Sequence, residues 1–328
     1  MANSLIVTSH LLSGDPDPAN ERDIVDALRD ERLAWAHLDG THPQAQDWVR
    51  RELSYLDPQA IEALVDVDTR PRMTQFGDGV MLILRAINFN AGEDREDMVS
   101  LRMYLDAERI VTISRKQVRA IATMDTDIRA GSIPRSAGEF LVRIVEHITG
   151  NIGKFQAELD EDAESLEVEV FGGSGDAVRR DVLDLRLKVI AARRYVGPQR
   201  EALTRLGASD ADIIDDVTRR EIEEETLKMT RITEDMDELR DQAQVLREEL
   251  STQLSDRVNR NTFVLSVVSV IFLPLGFLTG LFGVNIGGMP GVQNPNAFMW
   301  LCVWCAVLVV VQAGVMWRLR WLGRGKGG

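Results

Sequence analysis

The chain has 328 residues, with 38 Lys and Arg against 52 Asp and Glu, and therefore a formal net charge of −14. This length allows two domains and a sizeable core, and the acidic balance argues against nucleic acid, whose phosphates attract a basic surface. The mean hydropathy of −0.12 is that of a soluble protein, but it averages two unlike parts, because residues 262–317 contain no Asp, Glu, Lys or Arg.

The amino-terminal region, residues 1–135, alternates short strand-like and helix-like runs, which predicts a cytosolic α/β domain with a mixed sheet. Runs of β-branched and aliphatic residues between turn signals predict strands at residues 5–9, 33–38, 81–88, 99–105 and 109–114. The intervening runs predict helices at residues 21–30, 43–53, 58–67 and 116–130.

The second region, residues 136–261, is predicted to consist of long cytosolic helices. Residues 136–170 predict one helix, and residues 176–206 predict a second that returns antiparallel to it. The 66 residues between Gly207 and Pro274 contain no Gly or Pro, which predicts a continuous helix about 100 Å long.

This third long helix carries apolar residues at alternating steps of three and four, the spacing of a coiled-coil seam. The seam consists of Met229, Ile232, Met236, Leu239, Ala243, Leu246 and Leu250. It predicts burial against other helices, so Leu246→Asp is expected to reduce assembly of the oligomer. The periodicity fits a passive stalk as well as a rod that transmits movement to the membrane.

The third region, residues 262–328, is predicted to form a transmembrane hairpin with a tail. Residues 262–282 and 298–317 are uncharged and have the length of about 20 residues needed to cross a bilayer. Basic residues flank the hairpin on both sides and are absent from the link between its helices. They are Arg257 and Arg260 before it, and Arg318, Arg320, Arg324 and Lys326 after it. The positive-inside rule therefore predicts a multi-pass protein of a bacterial-type inner membrane with both termini in the cytoplasm.

No combination of nucleophile, base and pocket residues stands out, so the sequence predicts that the protein is not an enzyme and holds no resident cofactor. His37 and His42 are five residues apart and are interpreted as surface or core histidines rather than metal ligands. Cys302 and Cys305 lie one helical turn apart in the second apolar segment. They are interpreted as packing residues rather than a soft-metal pair.

A single hairpin cannot enclose a polar path across lipid, so conduction requires several copies. Small and polar residues recur at roughly helical spacing in and just before the first apolar segment. They are Asn259, Thr262, Ser266, Ser269, Gly276, Thr279 and Gly280. Such residues permit a narrow pore, and they also serve ordinary helix packing in membranes. Both interpretations stay open on this pattern alone.

The first apolar segment ends in the triplet Gly283-Val284-Asn285, which follows the run FLPLGFLTG at residues 272–280. Together with the long helix before it, the second apolar segment behind it and the basic tail, this resembles the CorA family of divalent-cation transporters over the whole chain. Val284 stands where magnesium-transporting relatives carry Met, and Gly291 stands where they carry Glu, after a shared proline at Pro290. This link resembles the ZntB-type, zinc-transporting branch of the family.

The resemblance implies a homopentamer in the lipid membrane, with a cytosolic funnel and a central pore lined by the first membrane helix. It implies Zn²⁺ as the transported ion, coupled to protons, and an outer selectivity region formed by Gly283, Val284 and Asn285. The implied pore-lining residues are Asn259, Thr262, Leu265, Ser269, Leu273 and Gly276. Of these, Leu265 and Leu273 would form hydrophobic constrictions.

Two alternatives remain at this stage. One is a Mg²⁺, Co²⁺ or Ni²⁺ channel of the same superfamily, and the other is a cytosolic sensor or scaffold that the hairpin merely anchors. The uncharged polar link counts against a mere anchor. Residues 1–261 hold 34 Lys and Arg against 52 Asp and Glu, a net charge of −18. This acidic body is expected to raise the local concentration of cations beside an uncharged pore.

Overall fold

The computed structural model describes residues 4–13, 21–30, 32–66, 70–173, 176–283 and 294–323. The chain divides into two compact units, Met1–Glu248 and Glu249–Gly328. The strands are β1 (Ile6–Leu11), β2 (Ala34–Asp39), β3 (Arg72–Phe76), β4 (Gly79–Ala86), β5 (Val99–Leu105) and β6 (Arg109–Ser114). The helices are α1 (Glu21–Arg29), α2 (Ala45–Glu52), α3 (Pro58–Val65), α4 (Arg119–Arg129), α5 (Ala137–Phe171), α6 (Asp176–Gly207), α7 (Asp216–Gly283) and α8 (Ala297–Gly323).

The strands form one six-stranded mixed sheet in the order β1-β2-β6-β5-β4-β3. β2 pairs with β6 in parallel, and the other neighbouring strands pair antiparallel. This confirms the predicted mixed α/β class. The sequence prediction missed β3, which is short and polar and has Met73 as its buried residue. β3 forms a hairpin with β4 through a turn in which Gly77 adopts a φ of 59°, a value that favours glycine.

Helices cover both faces of the sheet. Ile24, Trp48 and Leu64 from α1, α2 and α3 belong to the core on one face, while α4, α5, α6 and α7 contribute to the core on the other. Because β4 is covered on both faces, its sequence GVMLILRA is nearly continuously apolar rather than alternating. Leu82 points into one core and Ile83 into the other.

The histidines singled out from the sequence have local partners. His37 is buried at 4% exposure, and its ring nitrogens share hydrogen bonds with the hydroxyls of Thr112 (2.9 Å) and Ser114 (3.3 Å). His42 accepts a hydrogen bond at Nδ1 from the backbone N–H of Gln44 at 3.2 Å. Burial lowers the pKa of His37 from 6.5 to about 4, because the charged imidazolium would lose its hydration.

We expect this buried histidine to make the chain less stable in mild acid. The unfolded chain takes up the His37 proton near pH 6.5 and the folded chain near pH 4, so the unfolded state binds more protons between these values. The free energy of unfolding therefore falls by up to about 2 kcal/mol from pH 7 to pH 5. Thermal unfolding of the full chain at both pH values should show a smaller pH effect in His37→Gln, and an equal effect would contradict the assignment.

The long helices have the predicted arrangement along the chain. α5 begins after Ser136, whose Oγ accepts a hydrogen bond from the backbone N–H of Glu139 at 3.1 Å. Such N-caps satisfy a backbone donor that the first turn leaves unpaired. α7 runs without interruption from Asp216 to Gly283, as the absence of Gly and Pro predicts for most of its length.

The predicted seam of α7 is buried over most of its length, and its partners there are helices of the same chain. Its members Met229, Ile232, Met236, Leu239, Ala243 and Leu246 are each at most 7% exposed. Leu250 is half-buried, and Leu254 and Val258, farther along, are 46% and 55% exposed. Gly153 of α5 packs closely against the seam, because a Cβ added to it would lie 3.4 Å from Ile232 Cδ1. Further links to α6 and α5 are the ion pair of Asp237 with Arg193 and the 2.8 Å hydrogen bond from Gln242 to Glu167. Burial of the seam thus requires no second copy.

Candidate ion-conduction pathway

The residues predicted to line a pore all lie on α7, in its apolar part or just before it. They are Asn259, Thr262, Leu265, Ser269, Leu273 and Gly276. Their spacings of three and four residues match the helical repeat. Five of the six fall within an arc of about 80° around the helix axis, and Asn259 widens this arc to about 120°. The helix therefore places these residues on one face, which we call the polar-small face.

The second apolar helix packs against a different face of α7. A gap of about 300 Å³ between the two helices is lined by Phe263, Ser266, Val267 and Val270 of α7 and by Val311, Gln312, Val315 and Met316 of α8. These α7 residues are centred roughly 100° from the centre of the polar-small face, and Ser266 lies where the two sets meet, between Leu273 and Asn259 around the helix axis. Leu265 and Leu273 on the polar-small face are accordingly 68% and 74% exposed within the single chain.

Two hydroxyl groups of the apolar part of α7 bond to its own backbone. Ser269 Oγ donates to the carbonyl of Leu265 at 2.9 Å, and Thr279 Oγ1 donates to the carbonyl of Leu275 at 2.9 Å. This pairing satisfies each donor without water, as a bilayer requires. The oxygen lone pairs stay available as neutral hydrogen-bond acceptors.

The outer end of the predicted pathway is described in part. Gly283 is the last residue of α7, whereas Val284 and Asn285 lie outside the described residues. On the other side of the link, Asn294 Oδ1 accepts a hydrogen bond from the backbone N–H of Asn296 at 3.0 Å. α8 begins directly afterwards, at Ala297.

Resident metal ligands are a separate question from a path for ions. Cys302 is exposed and Cys305 half-buried, and both are free thiols. Within the described part of the chain, no group of three or more His, Cys, Asp or Glu residues is arranged to hold a metal ion. The groups that line the polar-small face are thus hydroxyls, an amide, apolar side chains and glycine.

Two helices are long and apolar enough to cross a bilayer, namely α7 and the segment Ala297–Arg318 of α8. None of the residues in their most apolar stretches is buried within the chain. Trp300 and Trp317, near opposite ends of the second helix, are 56% and 74% exposed, as expected of side chains at the two membrane interfaces. Apolar surface of this extent requires lipid or other protein around it.

Sequence reasoning missed one polar residue of the hairpin. Gln312 lies in the middle of α8, and its Nε2 donates a hydrogen bond to the backbone carbonyl of Val270 in α7 at 3.1 Å. An amide is costly inside lipid unless it is paired. A glutamine within about 20 apolar residues is thus a sequence signal for a polar contact inside the membrane.

The sequence profile of the family described as CorA-like Mg2+ transporter protein matches residues 30–320. The chain belongs to this family. The zinc transport protein ZntB of Pectobacterium carotovorum is 33% identical over 314 residues, which cover 95% of the chain and 92% of that protein. The divalent cation transporter CmaX of Pseudomonas aeruginosa is 30% identical over 313 residues, which cover 92% of the chain and 91% of that protein.

A solved structure gives the same architecture. The structure of the full-length CmaX protein matches with a TM-score of 0.81 at 28% identity, and the match covers 96% of the chain and 98% of that structure. This confirms the predicted order of α/β domain, long helices and two-helix apolar hairpin. As a member of the CorA-like family, the chain is a membrane transporter of divalent cations and not an enzyme.

Proposed function

We propose that the protein is a homopentameric zinc transporter, in which the polar-small face of α7 from each of five copies lines a central pore. The observation that carries this proposal is the face itself. It is uncharged and lies on a membrane-spanning helix, and none of its six residues lines the gap to α8. One hairpin cannot surround an ion, so several copies must bring this face together.

Zinc is proposed as the substrate for two reasons. The link has Val284 and Gly291 in place of the Met and Glu typical of magnesium-transporting relatives, and close relatives are named as zinc transport proteins. The position of the Glu holds no carboxylate here, so the outer mouth would bind a divalent cation through neutral oxygens. A Mg²⁺, Co²⁺ or Ni²⁺ channel is the alternative within the family.

In this mechanism, the ion first meets a ring of five copies of the triplet Gly283, Val284 and Asn285. The Asn285 side-chain carbonyls would accept hydrogen bonds from the water shell of the ion. Neutral oxygens bind such a shell without holding the ion too tightly for it to leave. Both termini would face the cytoplasm, where the net charge of −18 on residues 1–261 concentrates cations near the inner end.

Leu265 and Leu273 would form two apolar rings farther along the path, and such rings can block ions by excluding water. The stretch between Thr262 and Trp317 contains no carboxylate. A proton coupled to zinc would therefore travel along water in the pore rather than on an acidic side chain of the membrane helices.

The pore assignment is tested by placing one hydroxyl on two different faces of α7. Leu265→Ser is expected to raise zinc flux through proteoliposomes severalfold, because a hydroxyl ring wets the constriction. Val264→Ser is the matched control. Val264 is the preceding residue, is 55% exposed and lies about 140° from the centre of the polar-small face, so flux should stay unchanged.

Equal effects of Leu265→Ser and Val264→Ser would contradict the assignment of the polar-small face to the pore. They would favour a lipid-facing position for both residues. A protein in which the hairpin only anchors a sensor would give no zinc flux above protein-free liposomes in the wild type or in either variant.

A further inference from the structure

Pro274 interrupts the hydrogen bonding of the proposed pore helix. It lies within α7 and has no backbone N–H, which in a regular helix would donate to the carbonyl four residues earlier. That carbonyl belongs to Val270. Inside a bilayer there is no water to pair with it, so a carbonyl left without a donor is costly.

The structure supplies the missing donor from the other membrane helix. Gln312 Nε2 lies 3.1 Å from the Val270 carbonyl oxygen and donates a hydrogen bond to it. The acceptor is therefore the one backbone group for which Pro274 removes the regular helical donor. Proline in membrane helices is tolerated where neighbouring helices satisfy the freed carbonyl in this way.

The Gln312 amide is held at one of its two ends. Its Oε1 is buried and has no hydrogen-bond partner. The gap between the two helices is lined by Gln312, six apolar residues and Ser266, which carries a hydroxyl. The bond to Val270 is thus the specific contact that orients this side chain. If the bond is lost, the amide nitrogen and the Val270 carbonyl both lose a partner.

We infer that Gln312 is a positioning residue of the transport pathway, which fixes the proline break in α7 through its bond to the Val270 carbonyl. The inference rests on the proposed function, because the segment beyond Pro274 carries Gly276 and Gly283 toward the outer mouth, and Leu273 directly precedes it. A proline inside a helix bends it, and the bend at Pro274 would decide how these residues face the pore. Gln312 would hold that bend from outside the polar-small face, without touching the ion.

The test is a double-mutant cycle of Gln312→Leu with Pro274→Ala in the full chain. Gln312→Leu removes the donor and is expected to lower zinc flux about three- to twentyfold at equal membrane abundance, the range of single hydrogen bonds between membrane helices. Pro274→Ala restores a backbone N–H opposite the Val270 carbonyl. In that background, adding Gln312→Leu should change flux less than about twofold.

The matched control is Val310→Leu, at an α8 position that is 70% exposed and does not line the gap, and its flux should equal that of the wild type. An effect of Gln312→Leu that is absent, or that is the same size in both backgrounds, overturns the inference. A packing defect unrelated to the Val270 carbonyl would be the same size with Pro274 or Ala at that position, so the dependence on Pro274 identifies the bond.

The same double-mutant cycle can be measured by protein stability instead of zinc flux. The thermal unfolding midpoint and the membrane abundance of the four proteins should show the same dependence, with Gln312→Leu harmful beside Pro274 and nearly neutral beside Ala. If Gln312→Leu alone fails to accumulate, recovery in the double variant supports the bond, and failure of both variants overturns it. If the wild type carries no zinc, the proposed function fails, whereas this stability cycle still decides whether the bond exists.

Discussion

Asn285→Ala is expected to reduce zinc flux to the level of protein-free liposomes while the protein still reaches the membrane in wild-type amounts. Asn285 closes the triplet that begins at Gly283, the last residue of α7, where five side-chain carbonyls would receive the hydrated ion. Alanine offers no acceptor for the hydrogen bonds of that water shell, so the hydrated ion would lose its binding site at the mouth of the pore. Flux is measured with a zinc-sensitive dye inside proteoliposomes.

The control for this prediction is Asn296→Ala, which removes the same side chain from the same link. Asn296 is exposed, directly before α8, and its backbone N–H is bonded to Asn294. Its variant should transport like the wild type. Full flux in Asn285→Ala at equal abundance would show that the ion does not depend on this ring.

Leu246→Asp is expected to destabilise the single chain by about 3 to 5 kcal/mol, the cost of a buried charge without a partner. Leu246 is 1% exposed within one chain. The sequence pattern alone assigned its effect to assembly. Because the seam is buried within its own chain, loss of the oligomer should follow from loss of the fold.

Val245→Asp is the matched control, since Val245 is the preceding residue of α7 and is 58% exposed. Exposed substitutions change stability by no more than about 0.5 kcal/mol. Thermal unfolding of both full-length variants in detergent gives the comparison. If Leu246→Asp keeps the wild-type unfolding midpoint but fails to assemble, the seam would instead lie at the interface between copies.

Much of the fold follows from local sequence signals. β5 and β6 have the bounds that their runs of β-branched and aliphatic residues predict, and α5 starts one residue after Ser136, where a capping serine is expected. The two membrane helices could be predicted because each is an uncharged segment of about 20 residues, the length needed to cross the bilayer. The domain limits at residues 135 and 261 stay predictions.

Other features depend on tertiary contacts that a pattern does not specify. β3 is held by its pairing to β4 rather than by its own polar sequence. The partner of the α7 seam could not be chosen, because a heptad pattern fits α5 and α6 of the same chain as well as another copy. Gln312 was visible as a polar residue, but its link to Pro274 needs the position of the Val270 carbonyl.

For the candidate site, the family resemblance supplied the residues of the polar-small face, and a regular helix places them on one side; their lining of a pore stays a proposal. The sequence was insufficient for the face that α8 covers, since two apolar helices can pack in many rotations. The assignment of the selectivity region to Gly283, Val284 and Asn285 rests on resemblance and stays a proposal.

Proton-driven transport of zinc by this protein can be tested by one flux measurement. Purified full-length protein in liposomes is given external zinc, with and without an imposed pH gradient, and magnesium is measured in parallel. We expect zinc entry that exceeds magnesium entry and rises when the gradient is imposed. Zinc flux that ignores the gradient and is outpaced by magnesium would contradict it.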